Sequence, residues 1–407
     1  MTNAQTLERP QANVPVSDLD PYSDGLLDDP YPHYERLREL GPVFYLSQYK
    51  AYGIARHAEI DAVLRDHTTY CSSAGVGLTN FHNEPAWRKP SIILETDPPL
   101  HARTRKVVAG LLAPASINKL RPVFEKQAEE LVERVLAMGR LDAVPELCEA
   151  YPLKVFADAV GIPADGREKY LLPYGDMVFN AFGPANERFK ACLAKAQSGA
   201  IDWVAEVCRR ENLTADGFGM QLYKAADEGL LTQEEAPMLV RTLLSAGLDT
   251  TVFTLCNAVL SFARNPAQWD LVHANPAMAR QAVEEVLRYE STFHSFYRTT
   301  TRDVELAGVQ MQPEQKLLVI IGSANRDPRR WENADKFDVT RRAAGNMAFG
   351  TGIHGCAGQM IARLESEIVV AALARRVKRI TLEGAPVIHY NNSVRGYTSI
   401  PVSMDAA

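Results

Sequence analysis

The 407-residue sequence is poor in the features that mark several protein classes. It has no CxxC pair, because its six cysteines, Cys71, Cys148, Cys192, Cys208, Cys256 and Cys356, are scattered along the chain. That excludes zinc ribbons and thioredoxin-type redox motifs. Cysteines this sparse do not make a disulfide scaffold, and they read as reduced, mostly buried thiols. Basic charge is not in excess: 44 Lys and Arg face 50 Asp and Glu, a net charge of -6. Such a balance argues against a general nucleic-acid binder and against a polybasic membrane-surface protein. The first segment, MTNAQTLERPQANVPVS, has neither an apolar run nor a basic leader. It is therefore expected to be a flexible tail over 1–17, not a signal peptide, and the protein is expected in the cytoplasm. There is no repeat, low-complexity tract or long linker. Residues 18–407 are expected to form one domain, against a length prior of two or three.

What is present is mostly helical periodicity. Apolar spacing predicts helices over 30–39, 100–111, 117–138, 143–160, 166–181, 186–210, 215–228, 232–264, 266–290 and 357–376. Extended runs occur near VFYLS, AYGIA and QKLLVIIGS and at the C-terminal end. The fold class is mainly α with a minor β portion. Between Arg241 and Arg264 only Asp249 is charged. A helix there would be about 35 Å long. Its Thr, Ser and Asn residues suit the middle of a large soluble protein better than lipid, so no membrane is expected.

Residues 349–358 read Phe-Gly-Thr-Gly-Ile-His-Gly-Cys-Ala-Gly. Gly350, Gly352 and Gly355 match a GxGxxG dinucleotide fingerprint, but no good strand precedes them and Glu365 and Glu367 come too early. A Cys356 nucleophile with His354 as base is awkward at i and i+2. Plain loop glycines beside a buried cysteine are the bland alternative. The fourth reading uses every residue. A cysteine just before a helix has its thiolate stabilised by the helix N-terminus, and glycines let the backbone approach a flat ligand. A thiolate on haem iron favours O–O cleavage.

The pattern F-G-x-G-x-H-x-C-x-G resembles the cysteine-ligand loop of the cytochrome P-450 family. That resemblance implies the family's fold, with a long central distal helix over a buried haem b and Cys356 as the axial metal ligand. Phe349 belongs to the same cofactor loop. Glu285-Val-Leu-Arg288 resembles the family's ExxR, and Arg341 is the expected third member of a structural triad. Ala324-Asn-Arg-Asp-Pro328 is similar to the family's turn after its β region. His101 and Arg105, at i and i+4, with Arg298 and His354, are implied as partners of the two haem propionates. Ala246-Gly247-Leu248-Asp249-Thr250-Thr251 resembles the distal-helix motif. Gly247 is implied to leave room for O2, and Asp249 and Thr250 to be the acid–alcohol pair that delivers protons. An intact pair favours O2 plus two electrons over peroxide, and a haem sensor or carrier would need neither.

For the substrate, the segment 87–95 is implied to cover the pocket, with Arg88 and Ser91 able to bind an anion and Leu94 in the wall. Arg241, Thr242 and Ser245 precede the distal motif, and the last two share a helix face. Phe179 and Phe182, with Phe293 and Phe296, supply aromatic walls. Together these resemble bacterial family members that oxidise para-substituted benzoates by hydroxylation or O-demethylation. A terpenoid or fatty-acid pocket is the alternative, as is a non-enzymatic haem sensor. No flavin, nicotinamide or iron–sulfur motif is evident, so an iron–sulfur ferredoxin and its reductase are the implied electron donors. Arg103, Lys106, Lys119 and Arg121 are candidate docking cations. A monomer is expected. Gln315 stands where many relatives have Gly, so a local turn change is expected there.

Overall fold

A computed structural model describes residues 14–407 apart from residue 87. Of the expected tail, residues 1–13 lie outside the described residues. Residues 14–17 do not behave as a tail: Val14 is buried, and Val16–Ser17 pairs in parallel with Phe44–Leu46.

The helices follow the apolar spacing closely in places. The predicted 100–111 helix is Leu100–Leu111, and the predicted 357–376 helix is Gln359–Arg376. Elsewhere one predicted helix is several. The 186–210 stretch divides at Ser198 and Gly199 into Glu187–Gln197 and Ala200–Val207. Gly199 takes a φ of 131°, which a residue with a side chain rarely adopts. The segment 143–160 begins as a π-helix, Val144–Glu149, before Ala150–Val160.

The central helix is also two segments, Glu235–Gly247 and Asp249–Arg264, joined at Leu248. Leu248 has φ -92° and ψ -67°, and the hydroxyls of Thr250 and Thr251 donate to the carbonyls of Ala246 (2.9 Å) and Gly247 (3.2 Å). Side-chain hydroxyls that compete for helix carbonyls open a helix locally. This helix is long and apolar enough to cross a membrane, but 78% of its apolar window is buried inside the fold. It packs on the π-helix, on Ala279–Tyr289 and on Gln359–Arg376, and so runs through the largest apolar cluster.

The β portion is peripheral. A six-stranded mixed sheet has the order Val16–Ser17, Phe44–Leu46, Ala51–Ile54, Lys316–Val319, Phe296–Thr300, Tyr70–Cys71. Its Phe296–Thr300 strand carries Arg298 opposite Leu317. A three-stranded sheet joins Val377–Leu382, Pro401–Ala406 and Arg140–Asp142, and a hairpin pairs Val387–His389 with Gly396–Ser399. In the turn that holds Gln315, the left-handed residue is its neighbour Glu314, at φ 65°. The Gln315 side-chain oxygen closes the turn by accepting from Gln312 N at 2.9 Å.

Candidate functional site

Cys356 ends the glycine loop and lies three residues before the helix Gln359–Arg376. Its backbone N donates to Phe349 O at 2.8 Å, closing the loop into a ring. Gly350 and Gly352 take positive φ angles of 64° and 71°. A Cβ on Gly352 would stand 2.1 Å from Leu64 O, so only glycine fits against that backbone. Burial pushes the Cys356 thiol up, while the N–H groups of Gly358 and Gln359 and the cations Arg105 and Arg363 pull it down. Those four donors and cations favour a thiolate, which is the species a metal takes. The Arg363 guanidinium also lies over the Phe349 ring, 4.3 Å from its centroid.

Four basic side chains from three segments, the helix Leu100–Leu111, the strand Phe296–Thr300 and the cysteine loop itself, meet here. The His101 and His354 rings are 4.2 Å apart, and each has a buried Nε2 without a hydrogen-bond partner. Arg105 donates to Gly355 O. Arg298 is 5% exposed, and its one side-chain hydrogen bond among the described residues goes to Tyr297 O. Burial lowers Arg298 to about 10 and, with the charges of His354 and Arg105, lowers His101 to about 4. Asp97 is the carboxylate in this group, 3.7 Å from His354 Nε2 and held ionised by its hydrogen bonds, those to the backbone N–H groups of Ser72 and Ser73 included. A buried surplus of positive charge with orphaned donors is unstable alone. It fits a flat group carrying two carboxylates, which is the chemistry of haem b.

The ExxR triad is assembled, with Glu285 and Arg288 fully buried and Arg341 partly exposed. Arg288 forks onto Glu285 at 2.7 and 2.8 Å and also donates to the carbonyls of Asn325, Ala334 and Lys336. Glu285 accepts in addition from Asp338 N and from Arg341 Nε at 3.3 Å. Arg341 donates onward to the carbonyls of Glu332 and Asn333. In the Ala324–Pro328 turn, Asn325 links Ser291 to Met347 N. The irregular chain before the cysteine loop is thus held by side chains rather than by a ladder.

On the other side, Asp249 is 3% exposed and its Oδ1 has no partner. Burial and the nearby carboxylates of Asp176 and Glu149 hold it protonated, well above the usual range. Gly247 has a packing reason that the motif did not suggest: a Cβ there would lie 2.4 Å from Phe156 Cζ.

The four phenylalanines come together as one wall. Phe179 and Phe182 are 6.0 Å apart, both touch Phe293, and Phe293 continues to Phe296 at 5.6 Å. Phe296 in turn lies under the Arg298 guanidinium. The polar residues separate. Arg88 forms a two-point pair with Glu95 (2.8 and 2.9 Å), and Glu95 also accepts from Ser91 N. The Ser91 hydroxyl accepts from Leu94 N. The expected anion-binding pair Arg88 and Ser91 is thus already engaged in folding its own loop. Thr242 and Ser245 hydroxyls donate to carbonyls of their own helix. Arg241 is different: half-buried, it has no hydrogen-bond or ion-pair partner among the described residues. It acts on Tyr174, whose hydroxyl also feels Arg88. No motif marks Tyr174, and the sequence reading missed it.

Of the four docking cations, two are neutralised. Arg103 pairs with Glu235, and Arg121 with Glu125 and Glu367. Lys106 and Lys119 are exposed. A surface cleft of about 540 Å³ lined by Tyr31, Glu290, Arg326 and Arg395 shares no residue with the docking cations or the aromatic wall.

Known proteins agree with this geometry. The family model described as Cytochrome P-450 matches residues 174–393. Cytochrome p450 CYP199A2 of Rhodopseudomonas palustris is 49% identical over 397 residues, covering 97% of this chain and 96% of that protein. The epothilone C/D epoxidase of Sorangium cellulosum is 30% identical over 400 residues, with 95% of each covered. The crystal structure of CalO2 superposes with a TM-score of 0.84 at 29% identity, covering 95% of this chain and 98% of that one. The chain belongs to the cytochrome P-450 family, oxygen-incorporating oxidoreductases that bind haem b through a cysteine thiolate.

Proposed function

We propose that this enzyme inserts one oxygen atom from O2 into a small aromatic carboxylic acid, a para-substituted benzoate, by hydroxylation or O-demethylation. Haem b with a thiolate ligand supplies the oxygen-activating chemistry when bound. Cys356 Sγ is the ligand, with its charge supported by the N–H groups of Gly358 and Gln359. His101, Arg105, Arg298 and His354 counter the two propionates. Asp249 holds a carboxyl proton in a dry site, and Thr250 Oγ1, one residue on, passes protons inward.

The observation that carries the substrate reading is the half-buried Arg241, without a hydrogen-bond or ion-pair partner among the described residues, on the helix that leads into the distal motif. A partly buried cation and an aromatic wall would together favour a ligand that is flat and anionic at one end. Tyr174, which feels the Arg241 charge, adds a hydroxyl at that end, and Phe179, Phe182, Phe293 and Phe296 hold the ring; Thr242 and Ser245 would join only by turning their hydroxyls from the helix carbonyls. Arg88 contributes field rather than a direct contact. Electrons come from an iron–sulfur ferredoxin and its reductase, steered by Lys106 and Lys119. The enzyme acts as a monomer in the cytoplasm.

Titrating the ferric protein with 4-methoxybenzoate and with its methyl ester tests the substrate reading. A saturable spectral shift with the acid and a much weaker one with the ester is expected. Equal shifts, or none with the acid, would sink it.

A further inference from the structure

Asp249 is held protonated by burial and its Oδ1 has no hydrogen-bond partner among the described residues, so a replacement proton has to come by way of the groups packed around it. One side of that packing is distinctive. The carboxyl of Asp249 rests on Gly175, where a Cβ would stand 2.2 Å from Oδ2. The next residue, Asp176, accepts from His389 Nε2 at 2.8 Å. His389 lies parallel to Phe253, 5.1 Å between centroids, and Phe253 is one helical turn beyond Asp249. The side chains of His389 and Asp176 are each 20% exposed, whereas Asp249 as a residue is 3% exposed. Two partly exposed side chains, an imidazole and the carboxylate it bonds, therefore stand on the solvent side of a buried carboxylic acid.

We propose that His389 and Asp176 form the proton entry to Asp249. This rests on the reading of Asp249 as the internal acid. After Asp249 has given its proton inward it is a carboxylate. The imidazolium Nε2–H bond of His389 breaks and an O–H bond forms on Asp176. The Asp176 carboxyl proton then passes to Asp249, restoring the Asp249 acid and the Asp176 carboxylate, and His389 takes its next proton from solvent. Each transfer moves one proton and no electrons. His389 and Asp176 are positioning residues here, since neither touches the reacting atoms.

The remaining neighbours hold the pair in place. Asp176 also accepts from Asn180 and Asn391 and from the Cys192 thiol. Those bonds fix its carboxylate toward His389. The other charged groups acting on this cluster are Glu149 and Asp142 from the π-helix side, Glu168 from the helix of Asp176, and Lys195 and Arg188 from the helix of Cys192. His389 is the basic group in direct contact with Asp176.

The test is infrared spectroscopy of the haem-loaded ferric protein moved rapidly into D2O. A protonated-carboxyl band is first assigned to Asp249 by its loss in Asp249→Asn. A second band, from the buried and unpartnered carboxyl of Glu365, is assigned by Glu365→Gln and serves as an internal control. In His389→Phe, which keeps a ring on Phe253, deuterium exchange of the Asp249 band is expected to slow by about tenfold or more. Asp176→Asn should do the same and Asp176→Glu should recover the rate, while the Glu365 band exchanges as in the unaltered protein. Exchange at Asp249 within about twofold of the unaltered rate in both His389→Phe and Asp176→Asn would overturn the entry path. Equal slowing of both bands would also overturn it, because that is a change in the whole fold. Absence of any Asp249 band would instead remove the acid on which the path rests.

Discussion

The carboxyl of Asp249 fills the space that a side chain on Gly175 would need. An added Cβ would meet Oδ2, Cγ and Oδ1 at 2.2, 2.6 and 2.7 Å. The one acidic residue between Arg241 and Arg264 is thereby aimed at the helix Arg167–Asn180 and kept dry. Gly175→Ala must displace that carboxyl or part the helices. A loss of about 1–3 kcal/mol is expected, as for other overpacked cores. Urea unfolding of the two proteins measures it, and an unchanged midpoint would mean that the contact is loose.

Arg241 and Arg88 are expected to part company on mutation. Arg241→Leu should raise the Kd for 4-methoxybenzoate about tenfold or more, which is about 1.4 kcal/mol, and leave weak ester binding as it was. Arg88→Gln removes the partner of Glu95, whose side chain is 1% exposed, so it should cost fold stability more than selectivity. Spectral titration and thermal unfolding of both variants separate the two roles. An acid-selective loss confined to Arg88→Gln would reverse the assignment.

Arg288→Lys keeps the charge but cannot fork onto Glu285 while reaching three carbonyls. Breaking a fully buried pair of this kind costs about 3–5 kcal/mol. The segment carrying the cysteine loop should loosen, so haem retention, read from the ratio of haem to protein absorbance, should fall sharply. Full retention would mean that the triad is dispensable.

His294 is expected to steepen acid unfolding. It is buried, its Nδ1 is bonded to the Tyr34 hydroxyl at 2.8 Å, and burial, with the charges of Arg395 and Arg326, lowers it from 6.5 to about 3. The unfolded chain therefore takes a proton that the folded chain refuses. This stability is fully present above about 6.5 and is lost as the pH falls toward about 3. The slope from this group approaches about 1.4 kcal/mol per pH unit. In His294→Gln the fall in stability between those limits should be shallower. Parallel pH curves for the two proteins would contradict this.

The haem side of the site was legible in the sequence because its residues fall in short, local patterns. The cysteine loop, ExxR and the i, i+4 pair His101 and Arg105 keep their meaning at fixed spacing. The substrate side was legible only in its apolar part. The clustering of Phe179, Phe182, Phe293 and Phe296 follows from burial, but ion pairs depend on which distant segments meet. Glu235 claims Arg103 from 132 positions away. Glu95 claims Arg88 by folding one short loop back on itself, while Arg241 has no such partner among the described residues. His389 and Asp176 lie 213 positions apart, with no motif around either. Helix breaks at Ser198–Gly199 and Leu248 were hidden for a related reason. Apolar periodicity continues across them, while glycine conformation and threonine hydroxyl bonding decide the backbone.

The carbon monoxide difference spectrum of the reduced, haem-loaded protein tests the central claim most directly, alongside that of Cys356→Ala. The expected result is the strongly red-shifted band of a thiolate-ligated haem in the unaltered protein and its loss in the variant. A band at the position of histidine-ligated haem in properly folded protein, or a red-shifted band that survives Cys356→Ala, would contradict the assignment of Cys356.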